Sequence, residues 1–318
     1  MDRLRGLQPT SWTGTALPAS AGRERARDRL PVTMAKAGGD LPRSGTRLCA
    51  LLLALEVAAA QVPDAPTTVA SAPPHGEVAT LRPRITIGHS IQGRAIRARN
   101  VGAHWAATRV LVVGCIHGNE CAGKAVVRAL RRGRAPRRYE LWLIRDLNPD
   151  GSRAGTRQNA RGVDLNRNFG AGWRPIGQPG DVHHSGRGPW SEPETRAARA
   201  FIRRHRPDIT IWYHQALALV TKMKRHVRVQ RRYAQLVNLP LTNLDPLPGT
   251  APRWQNHRFP GHTSFVVELR AGSLDLRAAH LHAHAVRRVA QMWRRTASHR
   301  RASSALTSPP MSSARLSR

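Results

Sequence analysis

Residues 109–132 read RVLVVGCIHGNECAGKAVVRALRR. Val110 to Val113 make a short apolar, β-branched run, the kind expected of a strand covered on both faces. From Glu120 to Arg132 the apolar spacing is helical. The turn between them carries His117-Gly118-Asn119-Glu120, an imidazole and a carboxylate three residues apart at a strand end. Two such groups can close on one cation from the same side. Zinc accepts imidazole nitrogen and carboxylate oxygen together, and a catalytic zinc takes three protein ligands plus water.

Working outward, further strands are expected at Glu140–Ile144, Ile209–Tyr213 and Phe265–Leu269, and further helices at Glu192–His205 and Asp275–Thr296. Ser191-Glu192-Pro193-Glu194 reads as a capping box with proline in the first helical turn. Repeated strand–helix order implies an α/β domain, a mixed, largely parallel central sheet flanked by helices. Sites in such sheets lie at the carboxyl ends of the strands. His117, Asn148, His214 and Glu268 all sit at or just past such ends.

His214 closes Ile211-Trp212-Tyr213 and completes a His/Glu/His set with His117 and Glu120, leaving a fourth zinc position for water. Glu268 ends the apolar strand Phe265-Val266-Val267. A carboxylate there is costly to bury unless something compensates. A water to deprotonate beside a metal provides that compensation and defines a general base.

Between these elements lie Asn148-Pro149-Asp150-Gly151, Arg157, and Arg161-Gly162-Val163-Asp164-Leu165-Asn166-Arg167-Asn168-Phe169. With HGNE, the strand ending in His214 and FVVEL, these resemble the zinc carboxypeptidase (metallocarboxypeptidase) family, motif by motif and in family order, over about residues 85–297. Ile87 to Arg94 looks like the family's first hairpin. The resemblance implies zinc, one ion per chain, held by His117, Glu120 and His214. It implies that Glu268 is the general base that activates the water and returns the proton to the leaving amine. Arg157 matches the arginine that polarises the scissile carbonyl. Asn166 and Arg167 match the pair that grips the substrate's terminal carboxylate, and Asp164 matches a carboxylate that orients a ligand histidine, His117. Arg161 and Asn168 are read as loop hydrogen-bonders. The segment Leu247–Trp254 lacks the mobile-loop tyrosine of the family's digestive branch and so resembles the compact bacterial branch that includes murein peptide amidases. Arg253 falls near the side-chain pocket of that alignment, where it would favour an acidic residue.

The chain has 318 residues, with 52 Lys+Arg against 19 Asp+Glu, a net charge of +33. Only four are lysines (Lys36, Lys124, Lys222, Lys224), so 48 are arginines. The arginines are scattered along the sequence and few aromatics accompany them, which argues against base-stacking surfaces. No specific nucleic-acid partner is expected. Anionic substrates or cell-wall polymers suit the charge better. Residues 48–60, LCALLLALEVAAA, end in a small-x-small pattern before Gln61 and are too short to span a membrane. The expected organisation is a leader or over-extended start (1–33), a signal peptide (34–60), a linker (61–80), a catalytic domain (81–298) and a disordered tail (299–318). Cys49 leaves with the signal peptide. Cys115 and Cys121 could form a local clip or remain two buried thiols. His280, His282 and His284 read as a surface stripe, and His183-His184 is given no role.

The expected function is a secreted or cell-envelope, monomeric metallopeptidase acting on a peptide or muropeptide with a free carboxylate. Two alternatives stay open: a zinc-dependent deacylase of N-acyl amino acids, and a basic polyanion-binding module with a vestigial site.

Overall fold

A computed structural model describes residues 84–306 apart from 105 and 246, with side chains up to residue 296. The expected leader, signal peptide and linker lie outside the described residues, as does the tail beyond 306. Chain order is β1 (Arg84–His89), β2 (Ala95–Asn100), β3 (Arg109–Val113), α1 (Gly123–Arg132), β4 (Glu140–Ile144), α2 (Pro149–Ala154), a 3-10 turn (Leu165–Arg167), α3 (Pro193–His205), β5 (Ile209–Thr221), α4 (Val227–Val237), β6 (Leu241–Thr242), α5 (Ala251–Arg258), β7 (Thr263–Arg270) and α6 (Leu276–Leu306).

The sheet runs β1-β2-β4-β3-β5-β6, with β7 also paired to β5. The centre is parallel (β4 with β3, β3 with β5, β5 with β7), and the β1–β2 hairpin joins antiparallel through β2 and β4. The expected mixed, largely parallel sheet is what the chain forms. β3 and β4 have the bounds the sequence implied. β5 is longer: its first half flanks β7, the register breaks after Ala216, and Leu219 and Val220 then pair with Glu268 and Val267. α6 reaches Leu306, past residue 298 where the domain was expected to end.

Alternate residues along β5 face opposite sides of the sheet, as a pleated strand requires. Ile209, Ile211 and Tyr213 join a core covered by α1, α4 and α6, while Trp212 joins a second core with α3, α5 and the β2 side chains Ile96 and Ala98. No described helix is long and apolar enough to cross a membrane.

The structure departs from the sequence-based expectation at α3 and at His282. The capping box at α3 does not form: Glu192 is the N-cap and makes no side-chain cap bond. Glu194 instead accepts from the Ile91 backbone N–H and from Asn159, so tertiary partners outbid the local motif. His282 is not on a surface stripe. It is buried, and its Nδ1 lies 2.9 Å from the Tyr233 hydroxyl, which is 2.6 Å from that of Tyr213. Its neighbours on the helix's inner side, Ala279, Val286, Val289 and Trp293, face the same core.

Candidate active site

The site begins with two loops that must touch. A Cβ on Gly118 would lie 2.0 Å from the Gly151 carbonyl carbon, so HGNE and NPDG can pack together only through glycine. Asn148 caps α2 by accepting from the Gly151 N–H at 3.0 Å, and its amide donates to the carbonyls of Arg157 and Gln158. This fixes the loop that presents Arg157. Asp150, two residues on in the motif, accepts from Ser90, from the Gln92 N–H and from Arg94, and so holds the β1–β2 turn in place. Cys115 and Cys121 are joined as a disulfide with a Cα separation of 4.8 Å, which clips the ligand loop at both ends.

Within this frame three ligand atoms converge. His117 Nδ1 is 2.8 Å from Glu120 Oε2, and His214 Nδ1 is 3.1 Å from both. Tetrahedral ligands at zinc distances of about 2.0–2.2 Å stand about 3.3 Å apart. The triangle therefore fits one zinc ion with a shift of tenths of an ångström. His117 Nε2 is held 2.9 Å from Asp164, which fixes the ring and turns Nδ1 inward. All four groups are buried.

The electrostatics favour a cation. Burial opposes charge on His117, but Asp164 outweighs it through charge and hydrogen bonding, and the imidazole's pKa is raised. Burial, reinforced by the charge on His117, lowers His214 to about 4, leaving it neutral and free to ligate. Burial alone would raise Glu120, yet hydrogen bonds from the two histidines pull it well below the usual carboxylate range. Two buried carboxylates thus face each other across shared protons, and a metal ion could replace those protons.

The remaining expected residues gather around this triangle. Arg157 bonds Glu120 through one nitrogen and lies 3.1 Å from Asp164 through Nε. Glu268 stands beside His214 across the β5–β7 ladder, with one carboxylate oxygen buried and unpartnered. Burial first, then the charge of Glu120, push its carboxyl up to about 7. Arg167 is buried, 3.9 Å from Asp164, and bonded to the Asn166 carbonyl. Asn166 uses its side-chain oxygen to accept from the Ala251 N–H at the start of α5. Asn168 holds the loop as expected, donating to Ser185, Gly188 and Ser191.

Arg253 stays apart from this cluster. It is exposed and lines a separate cavity of about 520 Å3 with Trp190, Arg199 and Trp254. Sequence reasoning missed His183, whose Nδ1 is 3.3 Å from Asp164. Nothing in a His-His pair within a glycine-rich loop signals that contact.

Residues 77–235 match the model of the zinc carboxypeptidase family, a segment that includes His117, Glu120, Arg157, Asp164 and His214. The chain belongs to that family. It is 33% identical over 142 residues to murein peptide amidase A of Escherichia coli K12, covering 41% of this chain and 58% of that protein's length. It is 30% identical over 182 residues to the murein peptide amidase A of Vibrio campbellii, covering 53% of this chain and 72% of that one. The crystal structure of murein-tripeptide amidase from E. coli O157 superposes with a TM-score of 0.55 at 27% identity, over 65% of this chain and 91% of that one. Carboxypeptidase A from Helicoverpa armigera, at 17% identity and TM-score 0.58, shares the fold. The match to the E. coli K12 relative thus spans less than two thirds of that protein.

Proposed function

We propose that this zinc carboxypeptidase family member hydrolyses an amide bond next to a free carboxylate in a cell-wall stem peptide. The observation that carries the proposal is the buried triangle of His117, Glu120 and His214 with Glu268 in register beside it. The three residues would hold zinc, which when bound supplies Lewis acidity to the carbonyl and to water.

The protein's own groups do the rest. Glu268, unpartnered at one oxygen and poised to about 7, takes the proton from the attacking water and passes it to the leaving nitrogen. Arg157 is a fixed guanidinium on the same cluster, placed to stabilise negative charge that develops on the carbonyl oxygen. Arg167 is a desolvated cation whose closest carboxylate is 3.9 Å away, and a buried guanidinium so weakly paired favours an incoming anion. With the Asn166 amide it would grip the substrate carboxylate. Murein peptides supply such a carboxylate, and the named relatives support that substrate class. The apolar run before Gln61 supports export, which N-terminal sequencing of secreted protein would check.

The test is a panel of muropeptides, their carboxyl-amidated forms and small N-acyl amino acids, with products identified by mass. Free-carboxylate muropeptides should be cleaved and the amidated forms should resist. Faster turnover of N-acyl amino acids, or indifference to amidation, would overturn the proposal.

A further inference from the structure

We infer that the molecule carries a second, non-catalytic site, built of arginines, for a phosphate-bearing polyanion that lacks stacking bases. The loop 133–139 joins the end of α1 to the start of β4, so it lies at the opposite end of the parallel strands from His117. There a cavity of about 430 Å3 is walled by Arg134, Arg137, Arg138, Arg287, Arg294 and Arg295. That volume lies within the roughly 300–1,000 Å3 range of small-ligand sites. The sequence spreads these residues over two distant segments, and the fold gathers them.

The wall is built, since Arg287 donates to the carbonyls of Arg134 and Leu130 and ties the loop to α6. Arg287 and Arg294 lie two turns apart on α6 and so share a face. Among the described residues no carboxylate lines the cavity. The adjacent Glu140 turns away, pairing with Arg109 at 3.2 Å and accepting from Asn100 at 2.9 Å. Guanidinium stays charged at any ordinary pH, so an anion held among these side chains relieves their mutual repulsion.

Phosphate suits it better than carboxylate. Its oxygens can accept forked donors from several directions at once, as an open ring of guanidiniums requires. A chain of phosphates also fits the cationic surface that continues through Arg131, Arg132 and Arg288, all exposed. Nucleic acid fits less well. Among the described residues Tyr139 is the one aromatic in the lining, and it is buried, so none of them presents a ring for base stacking.

The experiment measures binding of labelled linear polyphosphate to the full, zinc-loaded chain by anisotropy across a salt series. One variant combines Arg137→Glu, Arg138→Glu and Arg295→Glu. The charge-matched control combines Arg228→Glu, Arg231→Glu and Arg232→Glu on α4. All six positions are exposed, and thermal melts verify that each variant folds. The cavity variant should lose about tenfold or more in affinity, and its log–log salt slope should become shallower by about 2, at roughly 0.7 per lost contact. The control should change far less, and peptide hydrolysis should be unaffected in both. Equal losses in the two variants would show diffuse charge and overturn the inference. So would the absence of binding, or tighter binding of a charge-matched oligothymidylate.

Discussion

Tyr213 and His214 are neighbours on one strand, and each enters a buried polar network on its own side of the sheet. Tyr213 joins Tyr233 and His282 beneath the helices, a chain of three groups at 2.6 and 2.9 Å. His214 joins His117, Glu120 and Asp164 at the strand ends. Both networks contain histidine in the interior, but they differ in charge. Burial alone lowers His282 to about 4, and burial is the largest cause that raises both tyrosines, with Tyr213 adding to the rise at Tyr233, so that network is neutral and closed on itself. On the other side Asp164 raises His117 in spite of deeper burial. The carboxylates, and not the depth of burial, make one network a candidate cation site and the other a structural bolt.

That contrast can be broken most severely at Glu268. Glu268→Gln should lower kcat by about a hundredfold to ten-thousandfold, the range expected of a lost general base, with zinc content unchanged. The wild-type acid limb follows from the same group. The base works ionised, so activity is present above its pKa and falls as pH drops through it. Its carboxyl sits at about 7, partly because Glu120 is charged nearby. A cation that neutralises Glu120 lessens that cause and places the midpoint below 7. A pH–rate profile in which Glu268→Gln keeps the same limb would contradict the assignment.

Asp164→Asn tests the charged network next. It preserves shape but removes the charge that orients and raises His117, and zinc affinity should fall about ten- to hundredfold by competition titration. The smallest effect belongs to the neutral side. Tyr233→Phe leaves buried partners unsatisfied and should cost about 1–3 kcal/mol in denaturant unfolding, with kcat/KM preserved. His282 adds a pH dependence of known sign. Its folded pKa of about 4 lies below the ordinary imidazole value of 6.5, so its stabilisation is present above 6.5 and is lost as pH falls from 6.5 to 4. His282→Asn should flatten that part of the stability profile.

Much of the charged network was legible in the sequence because its parts are local motifs at strand ends. HGNE, the strand ending in His214 and FVVEL each announce themselves over a few residues, and β3 and β4 appear as uninterrupted apolar runs. The neutral network was not legible. α4 starts from His226 in a left-handed conformation with no side-chain cap, and its valines and arginines carry no clear helix signal. His282 could have been found, since Ala279, Val286, Val289 and Trp293 mark its side of α6 as buried. Three histidines at alternate positions hid that spacing. His183 and the arginine cavity depend on loop closures that no local pattern encodes.

Whether His117, Glu120 and His214 together form one zinc site is decided by X-ray absorption at the zinc edge of stoichiometrically loaded protein. The expected result is one zinc per chain with two imidazoles and oxygen ligands at about 2.0–2.2 Å and no sulfur. A sulfur shell near 2.3 Å, which would draw Cys115 or Cys121 into the site, or failure to bind zinc stoichiometrically, would contradict it.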